Sequence, residues 1–270
     1  MKSDEALRVL AEVTASQWGL VTSAQAGARG VSRLDLSRLT QAGHLDRLTH
    51  GVYRDAGTPA DRFEDLRAAW LSTEPATLGE TRLRDRAAGV VVAGASAARL
   101  HEIGDLWADR HEFVAPTRRQ SQRPEIRYRQ RSLDPRDVTQ VQGLPAMTIE
   151  RTIADLVEDV GDLSLASGAL GDAVTRRPLD LERLRALLAP LAERNGLRRH
   201  DGDALLARLL EIAGVDVETV AGRIAADPVL GPRVTAKYLG GLTQEELAQM
   251  TAPELQESLA QWLPSESLPI

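Results

Sequence analysis

Arg33, Ser37, Arg38 and Gln41 stand at intervals that one side of a helix would bring together, and their side chains suit the edges of a DNA duplex. A guanidinium forks onto O6 and N7 of guanine, a carboxamide pairs with adenine, and Ser or Arg holds phosphate oxygens. Ser32, just before them, belongs to the same set. Further on, Arg47, His50 and Arg54 are placed to touch phosphate or the minor groove.

Helices must position these groups, and the sequence marks where they begin and end. Thr22 with Gln25, and Ser32 with Asp35, are two capping boxes: each hydroxyl accepts the N–H three residues on, and the third side chain returns to the cap's own N–H. Gly30-Val31 is the turn between them. Leu34 and Leu39, near helical spacing, supply the inward side of the second helix and leave Arg33, Ser37, Arg38 and Gln41 outward. Gly43 stops that helix. His44 to Arg54 then alternates, with Leu45, Leu48, Val52 and Tyr53 apolar, around a turn at His50-Gly51. Two short helices, a glycine turn and a hairpin are the layout of a winged helix-turn-helix, which predicts contact with double-stranded DNA. The alternatives are an ordinary helical hairpin with a strand pair attached, or a winged helix that only docks proteins.

A chain of 270 residues has room for two domains and a substantial core. It has no cysteine, which excludes disulfides and thiolate metal sites. MKSDEALRVL lacks the pattern of a signal peptide, and no apolar run nears the roughly 20 residues that span a bilayer, so a cytoplasmic location without a membrane partner is expected. The net charge of −6 would oppose DNA binding if it were evenly spread, but residues 1–60 sum to +1 and residues 156–270 to −7. An acidic part held away from the duplex only weakens binding through long-range repulsion at low salt.

The pattern along the chain predicts an α+β protein. Residues 1–56 form the winged helix-turn-helix, and 57–88 a connecting segment with a short amphipathic helix at Phe63 to Leu71. A mixed α/β domain follows over 89–262. Its small sheet, over about 89–147, draws on Val90 to Ala93, Glu112 to Ala115, Glu125 to Arg131, Val138 to Val141 and Pro145 to Met147. Its helical C-terminal part follows: Thr148 caps Ile149 to Val160, Asp180 opens a helix to Asn195 interrupted at Pro190, and Asp201 caps Gly202 to Ala213. Gly196, Gly214 and the Gly240-Gly241 pair end helices. Asp227-Pro228 and the pairs Thr243 with Glu246 and Thr251 with Glu254 open the last ones, and 263–270 is a tail.

Pro116 to Arg136 carries Arg118, Arg119, Arg123, Arg127, Arg129, Arg131 and Arg136 against only Glu125 and Asp134. A period of two places Arg127, Arg129 and Arg131 on one sheet face. This is either a second basic surface for phosphate or an acidic partner, or a strand face paired with the acidic C-terminal helices. Catalysis is not expected. The only interior lysine, Lys237, has Thr235 where a nuclease would place an acid. His101-Glu102 is followed by His111 rather than a histidine at zincin spacing. His200, Asp201 and Asp203 are better explained by Asp201 as a helix cap, and neither a Gly-x-Ser-x-Gly elbow nor a P-loop occurs. No metal or other cofactor is predicted.

Three segments together resemble the AbiEi-type antitoxins of bacterial abortive-infection E toxin-antitoxin systems. GLVTSAQAGARGVSRLDLSRLTQAGHLDRLTHGVYR is similar to the family's winged helix ending in Gly-Val-Tyr. GASAARLHEIG, Gly94 to Gly104, resembles the segment opening its C-terminal domain. GLPAMTIERTIADLVED, Gly143 to Asp159, is similar to its Arg-Thr-x-x-Asp-Leu helix. The likeness covers roughly residues 17–159. It implies a phage-defence antitoxin that represses its own operon at operator DNA; the thin wing and the acidic companion domain add the expectation that monomers bind inverted repeats cooperatively. It also implies a nucleotidyltransferase toxin of the AbiEii type, counteracted as in type IV systems, which does not require the two proteins to touch. In one respect the chain departs from the family: Thr49 and His50 stand where its wings carry Arg or Lys, which implies a modest phosphate affinity. A winged-helix regulator with a ligand- or protein-binding C-terminal domain and no toxin is the competing expectation.

Overall fold

In a computed structural model, residues 2–84, 86–106, 108–176 and 178–241 are described. The expected capping boxes at Thr243 and Thr251 and the tail at 263–270 lie outside the described residues. The chain is a mixed α+β structure with two small sheets and a helical C-terminal part.

The N-terminal unit starts with a helix not among the expected elements, α1 (Ser3–Thr14), whose Ala6, Leu10 and Val13 fall on one face and are buried. β1 (Leu20–Thr22), α2 (Ser23–Gly27), α3 (Arg33–Gln41), β2 (Leu45–Thr49) and β3 (Val52–Asp55) follow. Both expected capping boxes are present in full, and the turn between α2 and α3 uses Gly30 at φ +82°. Gly43, at φ +76°, leaves α3 in the left-handed conformation that only glycine adopts without strain. The hairpin β2–β3 pairs Leu45 with Asp55 through Thr49 with Val52, with a register shift between Arg47 and Thr49. β1 adds itself to β3 to give the order β1-β3-β2. This element order and pairing are consistent with a winged helix-turn-helix.

One detail differs from expectation. Leu36 and Leu39, with Val31, face the core beside Leu10 and Val13, whereas Leu34 is 60% exposed. A three-residue separation from Leu36 to Leu39 keeps two leucines on one helix face, and the five-residue separation of Leu34 and Leu39 does not.

The segment expected to be a connector is central to the packing. α4 (Glu64–Thr73) buries every residue from Leu66 to Leu71. Phe63, Leu66, Trp70 and Leu71 join Leu20 and Val52 of the N-terminal sheet and the strands of the second sheet in one core. Trp70 donates its indole N–H to the Val90 carbonyl at 2.8 Å and meets Trp18 edge-on, with ring centroids 6.2 Å apart. Trp18 packs so closely on Gly143 that a Cβ there would lie 2.7 Å from its indole nitrogen. After α5 (Gly79–Arg84), the second sheet runs in the order β6-β5-β4-β8-β7. Its strands are β4 (Val91–Val92), β5 (His111–Ala115), β6 (Ile126–Gln130), β7 (Val138–Val141) and β8 (Leu144–Met147), with α6 (Gly94–His101) between β4 and β5. The β4–β8 and β5–β6 pairs are parallel and the others antiparallel.

Next come α7 (Ile149–Val160), α8 (Leu163–Arg176), α9 (Leu181–Leu188) and α10 (Gly202–Ala213) around a separate core that includes Ile153, Val157, Leu170, Leu184, Leu188, Leu205 and Leu209. Thr148, Asp180 and Asp201 cap α7, α9 and α10 as expected. α11 (Val217–Ala226) and α12 (Leu230–Gly241) close the described chain. Among the described residues no helix is long and apolar enough to cross a membrane.

Candidate nucleic-acid interface

Ser32 anchors the start of α3. Its hydroxyl accepts from the Asp35 N–H at 3.2 Å, and Asp35 Oδ2 accepts in return from the Ser32 N–H at 3.0 Å. The Ser32 hydroxyl also donates to Oδ2 at 2.6 Å, and these bonds hold the Asp35 carboxyl below its ordinary value. Ser32 is thereby tied into the cap. Arg33, Ser37, Arg38 and Gln41 are all exposed, and neither arginine makes an ion pair among the described residues. With Leu36 and Leu39 inward, the outer face of α3 presents two guanidiniums, a hydroxyl and a carboxamide to solvent. A helix with that face suits the major groove.

The hairpin is more mixed. Arg47 is exposed and lies 3.3 Å from Nδ1 of His50, which sits at the tip. Arg54 departs from the expectation of a phosphate contact. Its guanidinium is held between Asp46 and Glu64, at 2.7 Å from each, and only 16% of the side chain is exposed. Those bonds raise the Arg54 pKa further above its ordinary value. Arg54 instead fastens the hairpin to α4. The tip also touches the second sheet: Arg123, on the β5–β6 connection, donates to the His50 carbonyl at 3.1 Å. That contact brings a guanidinium beside a hairpin whose own Thr49 and His50 carry no fixed positive charge.

The other arginines of the candidate second basic surface are mostly paired, which favours the alternative of a strand face paired with acidic helices over a phosphate-binding surface. Arg129 pairs with Asp155 and Asp159, and Arg131 with Asp155 and Glu158, so the face of β6 is closed by α7. Asp155 is fully buried and also takes Arg151 at 3.5 Å. Burial lowers the Arg151 pKa to about 10 and also lowers that of Arg129. Arg127 pairs with Glu112 at 3.1 Å, Arg119 with Glu74 at 2.5 Å, and Arg136 with Asp134 at 2.8 Å. Arg118 is exposed. Acidic residues on α7 and on the α4–α5 connection, distant in sequence, supply the counter-charges that a local count of arginines leaves out.

His101 is buried, with Nε2 2.7 Å from the Met147 carbonyl oxygen. Asp201 accepts the Ala204 N–H at 2.9 Å as a cap, and Asp203 pairs with Arg185. A polar network missed by sequence reasoning ties α2 to the chain beyond α4. Gln25 bonds Gln17 and the Thr77 carbonyl, Gln17 accepts from the Gly79 N–H, and the Thr22 hydroxyl reaches the Pro75 carbonyl. The helix pair is therefore fixed to the central core as well as to its own.

These features define a class: an N-terminal helix-turn-hairpin unit with a cationic outer helix, fused to a mixed sheet-and-helix body. Residues 8–54 match a family model described as "Transcriptional regulator, AbiEi antitoxin". The matched segment runs from within α1 to β3 and contains both capping boxes and the hairpin. Among solved structures, the crystal structure of RV2827C protein from Mycobacterium tuberculosis is similar, at 20% identity and a TM-score of 0.48 over 77% of each chain. No curated protein matches the chain.

Proposed function

We propose that the chain is a DNA-binding antitoxin. Its N-terminal unit acts as a winged helix-turn-helix that reads operator DNA upstream of its own operon and represses it, while the body counteracts a nucleotidyltransferase-like toxin of the AbiEii type. The observation that carries this reading is a coincidence of position. The segment matching the AbiEi regulator family is the one that presents Arg33, Ser37, Arg38 and Gln41 on an exposed helix face. In this reading α3 enters the major groove, and Arg47 and His50 lie along phosphate or the minor groove. The protein acts in the cytoplasm by binding, without catalysis or a cofactor. Monomers occupy inverted repeats cooperatively, because a hairpin with so little free charge gives each copy a modest grip.

A regulator without a toxin is the second reading, and the family match, which spans residues 8–54 and so the N-terminal unit, favours keeping it. A cavity of about 200 Å³ lined by Leu48, Thr49, Asp65, His111 and Arg123, at the junction of hairpin and body, would then suit a small ligand. Two experiments on the full-length chain test the proposal. Footprinting on the DNA upstream of its own gene is expected to show paired protected sites. Co-expression with the product of a neighbouring nucleotidyltransferase gene is expected to rescue growth. Protection of DNA without rescue, or the absence of such a gene, leaves the regulator reading.

A further inference from the structure

Leu34 is the only large hydrophobic side chain exposed before residue 163 among the described residues; the others lie at Leu165 or beyond. It is the second residue of α3. At about 100° per residue, Leu34, Ser37, Arg38 and Gln41 fall within an arc of about 100°, opposite the buried Asp35, Leu36 and Leu39. Leu34 therefore lies in the middle of the cationic face. The first turns of a recognition helix meet base edges, and the one apolar group on the major-groove edge of a base pair is the C5 methyl of thymine. An exposed leucine costs solvation unless it is covered, and its neighbours Arg33, Ser37 and Arg38 suit a polyanion rather than an apolar protein surface.

We propose that Leu34 reads a thymine methyl in the operator, which makes it a specificity-determining residue beside the arginines. The inference rests on the DNA-binding reading above. It predicts a preference for thymine within the base steps spanned by Arg33 and Arg38.

The test uses the full-length chain and its footprinted upstream fragment, with thymines replaced singly by deoxyuridine so that only a methyl is removed. At one thymine per half-site, wild-type affinity is expected to fall roughly fourfold, the worth of one buried methyl. Leu34→Ala is expected to bind the unmodified fragment more weakly and to show no further loss at that same position, while Leu34→Met retains the sensitivity. Because Leu34 is exposed, thermal unfolding of Leu34→Ala is expected to match wild type. Insensitivity of the wild type to every deoxyuridine overturns the proposal, as does a loss that persists in Leu34→Ala. A Leu34→Ala variant that keeps its affinity but changes its self-association also overturns it, by giving Leu34 to a protein contact. If the wild type binds no upstream DNA, the DNA-binding reading itself fails, an outcome distinct from the others.

Discussion

The arginines of α3 and those of β6 are the same residue type in opposite surroundings. Arg33 and Arg38 project from a helix whose acidic neighbour, Asp35, is turned into its own cap. Arg129, on β6, and Arg131, just after it, face α7 and share the buried carboxylate of Asp155. Side chains of the first kind remain available to a partner, and those of the second hold the body together. The density of arginine in a sequence is thus a poor guide to where phosphate binds, because counter-charges arrive through tertiary contacts.

Asp155→Ala should break this contrast on the structural side with the largest effect. Removing the carboxylate leaves Arg129, Arg131 and Arg151 partly desolvated without their shared counter-charge, a change that typically costs about 3 to 5 kcal/mol. Thermal unfolding should show a large drop, and a melting point near wild type would show that the cluster is not structural. On the functional side, Arg33→Ala or Arg38→Ala should each weaken operator binding by about 1 to 3 kcal/mol and relax sequence preference, with thermal stability unchanged. Arg127→Ala should do neither: its pair with Glu112 is about half exposed at the arginine, and such pairs contribute roughly 0 to 1 kcal/mol.

A smaller effect concerns acid. Burial alone would raise the Glu158 pKa, but the hydrogen bond from Arg131 and the charges of Arg131, Arg151 and Arg129 outweigh it and hold the carboxyl below its ordinary 4.5. A lowered carboxylate contributes stability that is present above its unfolded value and lost as the pH falls through the folded one. Stability should therefore decline as pH drops below about 4.5, and Glu158→Gln should flatten that part of the curve. An unchanged slope in the variant would remove Glu158 from the account. The smallest effect should come from Arg47→Ala, expected to lower the salt dependence of DNA binding by about one phosphate contact. Arg54→Ala should instead loosen the hairpin from α4 and show in stability.

Local chemistry made much of this legible in advance. The starts of α2, α3, α7, α9 and α10 were readable because an N-cap joins residues three apart. The five strands of the second sheet follow from short apolar or alternating runs. α1 carries a usable signal, Ala6, Leu10 and Val13, but α8 is lined by alanines whose small size weakens any hydrophobic pattern. Within the candidate site, the outward set on α3 was legible, whereas the choice of Leu36 over Leu34 was not. Three leucines within six residues permit either pairing until α1 and Val31 fix which side is the core. The Arg54 bridge to Glu64, the Arg123 contact with the hairpin tip, and the shared core through Trp70 all join segments that only the fold brings together.

The central claim is that α3 carries the DNA-reading function. The most direct measurement is titration of the full-length protein, as wild type and as Arg33→Ala and Arg38→Ala, against the fragment upstream of its own gene and against an unrelated fragment of equal length. The account predicts preferential wild-type binding to the upstream fragment and loss of that preference in both variants without loss of fold. Unchanged affinity in both variants, or equal wild-type binding to the two fragments, would contradict it.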